Sequence, residues 1–108
     1  MKPKVIFMGT PDFAVPVLEK LIELTDVVLV VTQPDKLVGR KQELRFSPIK
    51  EKAIENNIKV FQPVKLLNEI NEVLSYEADL IVTCAYGQIL PEEILNHPKI
   101  APINVHAS

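Results

Sequence analysis

Cysteine is nearly absent from this sequence: Cys84 is the only one in 108 residues. A single thiol cannot close an intrachain disulfide, and a zinc site built on cysteines would lack its ligands. That usage fits a reducing cytoplasm, which is the expected location, and no metal is expected. Glycine is scarce as well, and the first strand-to-helix turn, Gly9-Thr10-Pro11-Asp12-Phe13-Ala14, holds only one. A dinucleotide-binding turn needs several, so that the pyrophosphate can approach the backbone. NAD is therefore disfavoured, and the turn reads as a tight, capped connection. Long apolar runs are missing too. The start, MKPKVIFMGTPDF, has a basic tip, but its apolar run ends at Met8, too short for a signal peptide. No window approaches a membrane span, so no membrane partner is expected. There is no strong excess of charge of one sign: a net charge of -2 gives no global pull toward nucleic acid, so any basic site must be local. Repeats, low-complexity tracts and linkers are absent, which leaves one domain.

What is present is a core-forming chain, with 47% hydrophobic residues. Apolar β-branched runs alternate with helical patterns, which predicts βα units around a mostly parallel sheet. Lys4 to Met8 reads as a strand covered on both faces. Val17, Leu18, Leu21, Ile22 and Leu24 recur at helical spacing. Asp26 to Thr32 is a strand, and Gln33 to Phe46 a long polar loop, a length that is usually functional or disordered. Ser47-Pro48 reads as the N-cap and first residue of a helix running to about Asn57. Then come a brief strand at Lys59 to Gln62, a helix at Leu66 to Ser75, a strand at Leu80 to Cys84, a short helix at Pro91 to Leu95 and a last strand at Pro102 to His106. The order β-α-β-loop-α-β-α-β-α-β predicts an α/β three-layer sandwich with a Rossmann-like sheet.

Four stretches carry candidate chemistry. The long loop holds Lys36, Arg40, Lys41 and Arg45 against Asp35 and Glu43, which gives +2 and leaves -4 for the rest of the chain. It is either a solvated loop of mixed charge or a contact for a phosphate backbone. Ala85-Tyr86-Gly87-Gln88-Ile89-Leu90-Pro91 follows a strand's carboxyl end, where open α/β sheets bind ligands. Gly87 permits a sharp turn or a close backbone approach, and Tyr86 offers an apolar wall with a polar tip. An ordinary strand-helix connector is the alternative. Asn104 and His106 lie two apart near a strand end, so both project to one face. An amide can donate to an oxyanion, and an imidazole can move a proton. Cys84 reads as a small core residue and His97 as a turn residue.

Taken together and in order, FMGTPDFAVPVL, VVTQPDKLVGR, SPIKE, VFQPVKL, AYGQILP and INVHAS resemble the methionyl-tRNA formyltransferase family along the whole chain. The resemblance implies transfer of a formyl group from 10-formyltetrahydrofolate, the co-substrate, to the α-amine of methionine on initiator tRNA, a role in translation initiation. By position, Asn104 holds the oxyanion and His106 manages the proton of the attacking amine. Backbone groups of Tyr86, Gly87, Gln88 and Leu90 lie near the pterin, and Ser108 opens a folate-binding segment. Lys36, Arg40, Lys41 and Arg45 fall in the family's tRNA-contacting insertion, with Arg40 on its characteristic arginine. This copy departs from the usual pattern there: Lys41 stands where glycine is common, Gln42-Glu43 where two lysines are, and Phe46 where proline is, so positive charge is lost. Pro102, close before Asn104, is also unusual. Ala107 after His106 matches the methionyl-tRNA enzyme, whereas the purine-pathway enzyme typically carries proline and sugar-amine enzymes often glycine.

The resemblance further implies that residues 1–108 are the N-terminal part of a catalytic domain. The family's third catalytic group, an aspartate, and a C-terminal tRNA-binding domain lie outside this stretch. The 108-residue chain is therefore expected to fold, at least in part, without turning over. Its last strand is expected to expose an edge that favours self-association, which light scattering would check. Two other functions stay open: a sugar-nucleotide amine formyltransferase of the same fold, and a non-catalytic α/β binding module.

Overall fold

The computed structural model describes residues 1–106. Five parallel strands form the sheet: β1 (Lys4–Gly9), β2 (Asp26–Val31), β5 (Val60–Phe61), β6 (Leu80–Cys84) and β7 (Ala101–Asn104), in the order β5-β2-β1-β6-β7. A separate antiparallel hairpin pairs β3 (Lys36–Val38) with β4 (Glu43–Arg45). The helices are α1 (Val15–Leu24), α2 (Pro48–Glu55), α3 (Ile70–Leu74) and α4 (Glu92–Leu95).

Strand alternation builds the three layers. Val5, Phe7, Val30, Val82 and Cys84 project to one face and pack with Ala14, Leu18, Ile49 and Ala53 around α1 and α2. Ile6, Met8, Leu29, Val31 and Ile81 project to the other and pack with Leu66, Val73, Tyr86 and Ile94 around α3 and α4. Because both faces are covered, these strands read as unbroken apolar runs rather than alternating ones. Cys84 is buried in the first cluster, and burial pushes its thiol pKa up. Among the described residues no helix is long and apolar enough to cross a membrane.

The expected elements are present, with four differences. The loop from Gln33 to Phe46 contains the β3–β4 hairpin, joined by a turn in which Gly39 (φ 76°) and Gln42 (φ 53°) take left-handed backbone. Its strands are KLV and ELR, three residues each, and charged residues mask so short an alternation. The helix expected from Leu66 to Ser75 is broken: a 3₁₀ turn spans Leu66–Asn68, and Glu69 (φ -138°, ψ 30°) leaves the helical region before α3 begins. Asn68 and Asn71 are weak helix formers, and no side chain caps α3. The last strand ends at Asn104 rather than His106. Pairing nevertheless persists one step further, because Val105 N donates to Thr83 O at 2.8 Å. The short helix begins at Glu92, with Pro91 as its N-cap.

Two local readings have clear physical causes. Ser47 Oγ accepts from Lys50 N at 3.1 Å, capping α2 ahead of Pro48. Ala101 and Val105 donate their N–H groups toward β6, so Pro102 falls among the alternate residues that face away from it. Proline is tolerated there on an edge strand. Among the described residues β7 pairs only with β6, so its other edge carries unpaired backbone groups.

Candidate active site

All five strands run parallel, so their carboxyl ends and the loops that follow share one edge of the sheet. The chain moves outward from β1 to β2 and β5 on one side and to β6 and β7 on the other. The crevice between β1 and β6 is therefore the topological switch point, the usual ligand position in such a sheet.

Small residues and hydroxyls bring the two crevice loops together. A Cβ on Gly9 would sit 2.8 Å from Cys84 O and 2.9 Å from the Phe7 ring, so only glycine lets β1 approach β6 this closely. Thr10 Oγ1 donates to Tyr86 O at 3.0 Å, tying the first turn to the loop after β6. That loop contains two positive-φ residues on either side of Tyr86: Ala85 at φ 51° and Gly87 at φ 100°. A left-handed alanine costs about 1–2 kcal/mol, and such strain collects at functional sites.

Gln88 of this loop is held by a cluster with Gln33, and Gln62 ties Gln33 to Asp35. Gln88 Nε2 donates to Gln33 Oε1 (2.8 Å) and to Pro63 O (3.1 Å), while its Oε1 accepts from Leu66 N (2.7 Å). Gln62 Nε2 donates to Gln33 O (3.2 Å) and Asp35 Oδ1 (2.8 Å). Asp35 also pairs with Lys50 at 2.8 Å, and Lys50 lies 3.7 Å from the Phe46 ring centroid. The Lys50 and Gln62 hydrogen bonds hold the Asp35 pKa below its ordinary 3.8, against a smaller opposing effect of burial.

The sequence-derived folate residues separate by position. The Tyr86 side chain is 4% exposed and packs in the α3/α4 core, so its ring is no cleft wall and only its backbone faces the crevice loops. Burial, reinforced by the charge of Glu69, pushes the phenol up to about 12. Gly87 is exposed, Gln88 is turned into the glutamine cluster, and Leu90 packs against the α3/α4 core. Ser108 lies outside the described residues.

Asn104 and His106 are brought together, and Asn104 Nδ2 lies 3.1 Å from His106 Nε2. Both are exposed. Sequence reading passed over their neighbour. Thr83 is the cross-strand partner of Asn104, and its Oγ1 donates to Asn104 Oδ1 at 3.0 Å. A hydroxyl buried to 8% exposure inside the apolar run LIVTC was the available signal.

The four basic residues divide in two. Lys36 and Arg45 are register partners on the hairpin stem and line a cleft of about 240 Å³ with Thr10, Gln33 and Ser47. Arg40 and Lys41 sit at the tip and are exposed. Among the described residues none of the four forms an ion pair. His97, partly buried, donates from Nε2 to Tyr76 O at 2.6 Å and holds a turn. No group of three or more His, Cys, Asp or Glu among the described residues is placed to hold a metal.

This arrangement supplies a donor amide beside an imidazole, a backbone-rich loop at the switch point and a basic hairpin over the same edge. Comparison with known proteins points the same way. A methionyl-tRNA formyltransferase of Listeria welshimeri is 58% identical over 107 residues, covering 97% of this chain and 34% of that protein. The proteins of that name from Clostridium acetobutylicum and Mesoplasma florum are 56% and 52% identical, and the match covers 35% of each. The chain thus spans about a third of the length of the curated relatives it matches. The family model described as formyl transferase matches residues 1–108, and the chain belongs to that family.

Proposed function

We propose that this chain forms the N-terminal part of the catalytic domain of a methionyl-tRNA formyltransferase, working in the cytoplasm. The contact between Asn104 and His106 at the carboxyl end of β7 carries the reading. In the proposed reaction the methionine α-amine attacks the formyl carbon of 10-formyltetrahydrofolate. Asn104 donates an N–H to the oxygen that gains charge, and His106 takes the proton that the amine must lose. Collapse of the tetrahedral centre breaks the bond to folate N10, and the proton is delivered there.

The folate donor suits the loop after β6. Its positive-φ residues Ala85 and Gly87 make a sharp backbone turn beside the crevice, and Ile89, 78% exposed, offers an apolar surface for a flat heterocycle. The tRNA suits the hairpin, whose tip presents Arg40 and Lys41 exposed and, among the described residues, without an ion pair. The names of the relatives support methionyl-tRNA as the formyl acceptor. The 108 residues alone are not expected to turn over, being matched to about a third of those proteins.

A chimera tests the reading. This chain replaces the matching segment of the Listeria welshimeri relative, which supplies the remainder. The chimera should formylate methionyl-tRNA with 10-formyltetrahydrofolate. A folded chimera that instead formylates a sugar-nucleotide amine would favour the sister activity, because Lys36 and Arg45 beside the 240 Å³ cleft also suit a diphosphate. A folded chimera inactive on both would support a binding module.

A further inference from the structure

An amide that must stabilise an oxyanion has two ends, and only one is useful. The Nδ2 end donates to negative charge and the Oδ1 end repels it. Asn104 is exposed at the end of an edge strand, and exposure alone would let its amide rotate freely.

We propose that Thr83 is a positioning residue that locks the Asn104 amide with its carbonyl inward and its N–H groups outward, and thereby sets the tautomer of His106. Thr83 and Asn104 are paired across β6 and β7, so their side chains leave the sheet on the same face. Thr83 Oγ1 donates to Asn104 Oδ1 at 3.0 Å; the alternative acceptor, Ile103 O, is more distant at 3.5 Å. With Oδ1 engaged, Nδ2 points to His106 Nε2 at 3.1 Å. An N–H that donates to Nε2 requires Nε2 to be bare, so the ring proton sits on Nδ1. The three residues form one chain of donation, hydroxyl to amide to imidazole. It keeps Nε2 unprotonated, so that its lone pair takes the amine proton once the approaching amine displaces the Asn104 N–H, which is then free for the oxyanion. Thr83 is 8% exposed within an otherwise apolar strand, and its hydroxyl is directed to Asn104, which gives it a use beyond the core.

The inference rests on the reading of Asn104 and His106 as the reacting pair, but its test needs no substrate and can fail independently of formyl transfer. Imidazole nitrogen shifts of His106 are recorded by NMR on the 108-residue chain in alkaline buffer. The unsubstituted chain should show the Nδ1–H tautomer in excess. Thr83→Val, nearly isosteric and suited to a strand, should shift the tautomer ratio by about fivefold toward Nε2–H, the size of one net hydrogen bond. Thr83→Ser should restore it. An excess of Nε2–H in the unsubstituted chain overturns the proposal even if Thr83→Val fails to fold. An unchanged ratio in a folded Thr83→Val chain overturns it as well.

Discussion

Gln88 and Gln33, 55 residues apart in the chain, meet side chain to side chain, with Gln88 Nε2 donating to Gln33 Oε1 at 2.8 Å. The contact joins the loop after β6 to the segment after β2, so the proposed folate loop and the root of the basic hairpin share one polar cluster. A Cβ added to Gly87 would lie 2.7 Å from Gln33 Nε2, the movable end of that side chain, and the backbone φ of 100° is what favours glycine at the turn.

Truncating Gln88 should therefore be costly. Gln88→Ala strands the buried Leu66 amide along with two acceptors, and leaving one such group unpaired costs about 1–3 kcal/mol. Guanidinium denaturation should show a lower midpoint with an unchanged slope. An unmoved midpoint would mean that water replaces the glutamine without loss.

Tyr86 should behave in the opposite way. Among the described residues its hydroxyl is buried without a hydrogen-bond partner. Tyr86→Phe removes a desolvated polar group while keeping the ring, so stability should be unchanged or rise by about 1 kcal/mol. A clear loss in the same denaturation experiment would reveal a partner for the hydroxyl.

These two residues show where sequence reading succeeds and where it stops. The strands β1, β2 and β6 are apolar on both faces, and that composition alone announces a covered parallel sheet. The Ser47-Pro48 start of α2 is legible because capping is local chemistry. The fate of Tyr86 is not local: whether its ring lines a cleft or fills the core depends on the left-handed turn at Ala85 and on packing with residues far away in sequence. The hairpin was hidden for a similar reason, since three-residue strands rich in charge carry too little periodicity to register. That Asn104 and His106 would meet was legible in their spacing of two, whereas Thr83 became visible only once β6 and β7 were in register.

Asp35 should titrate below its ordinary 3.8 because Lys50 and Gln62 hydrogen-bond its carboxylate. A carboxyl whose folded pKa is depressed contributes stability that is fully present above the unfolded value and is lost as pH falls through the folded one. The 108-residue chain should thus lose this contribution only in acid below 3.8. A carbon-detected titration of Asp35 should give a midpoint below that value, and Lys50→Met should raise it. A midpoint unaffected by Lys50→Met would remove the ion pair from the account.

The split of the basic residues between hairpin tip and stem makes a further distinction. In the chimera, Arg40→Ala should weaken binding of initiator methionyl-tRNA and lower the slope of its salt dependence by about 1, as for loss of one phosphate contact. Folate binding, read by fluorescence, should stay unchanged. Equal loss of both would place Arg40 in the cleft rather than on RNA.

The central claim is that Asn104 and His106 together carry formyl transfer. Single-turnover formylation of methionyl-tRNA by the chimera, at saturating 10-formyltetrahydrofolate, tests it most directly. Asn104→Ala should slow the chemical step by about 10²–10³ through loss of one oxyanion donor. His106→Ala should slow it by about 10²–10⁴ through loss of the base. His106→Ala should unfold at the same guanidinium concentration as the parent. Asn104→Ala, which takes the acceptor from the Thr83 hydroxyl, should remain folded with a lower midpoint, a loss of about 1–3 kcal/mol or less. Rates within a few-fold of the parent in either folded variant would contradict the account.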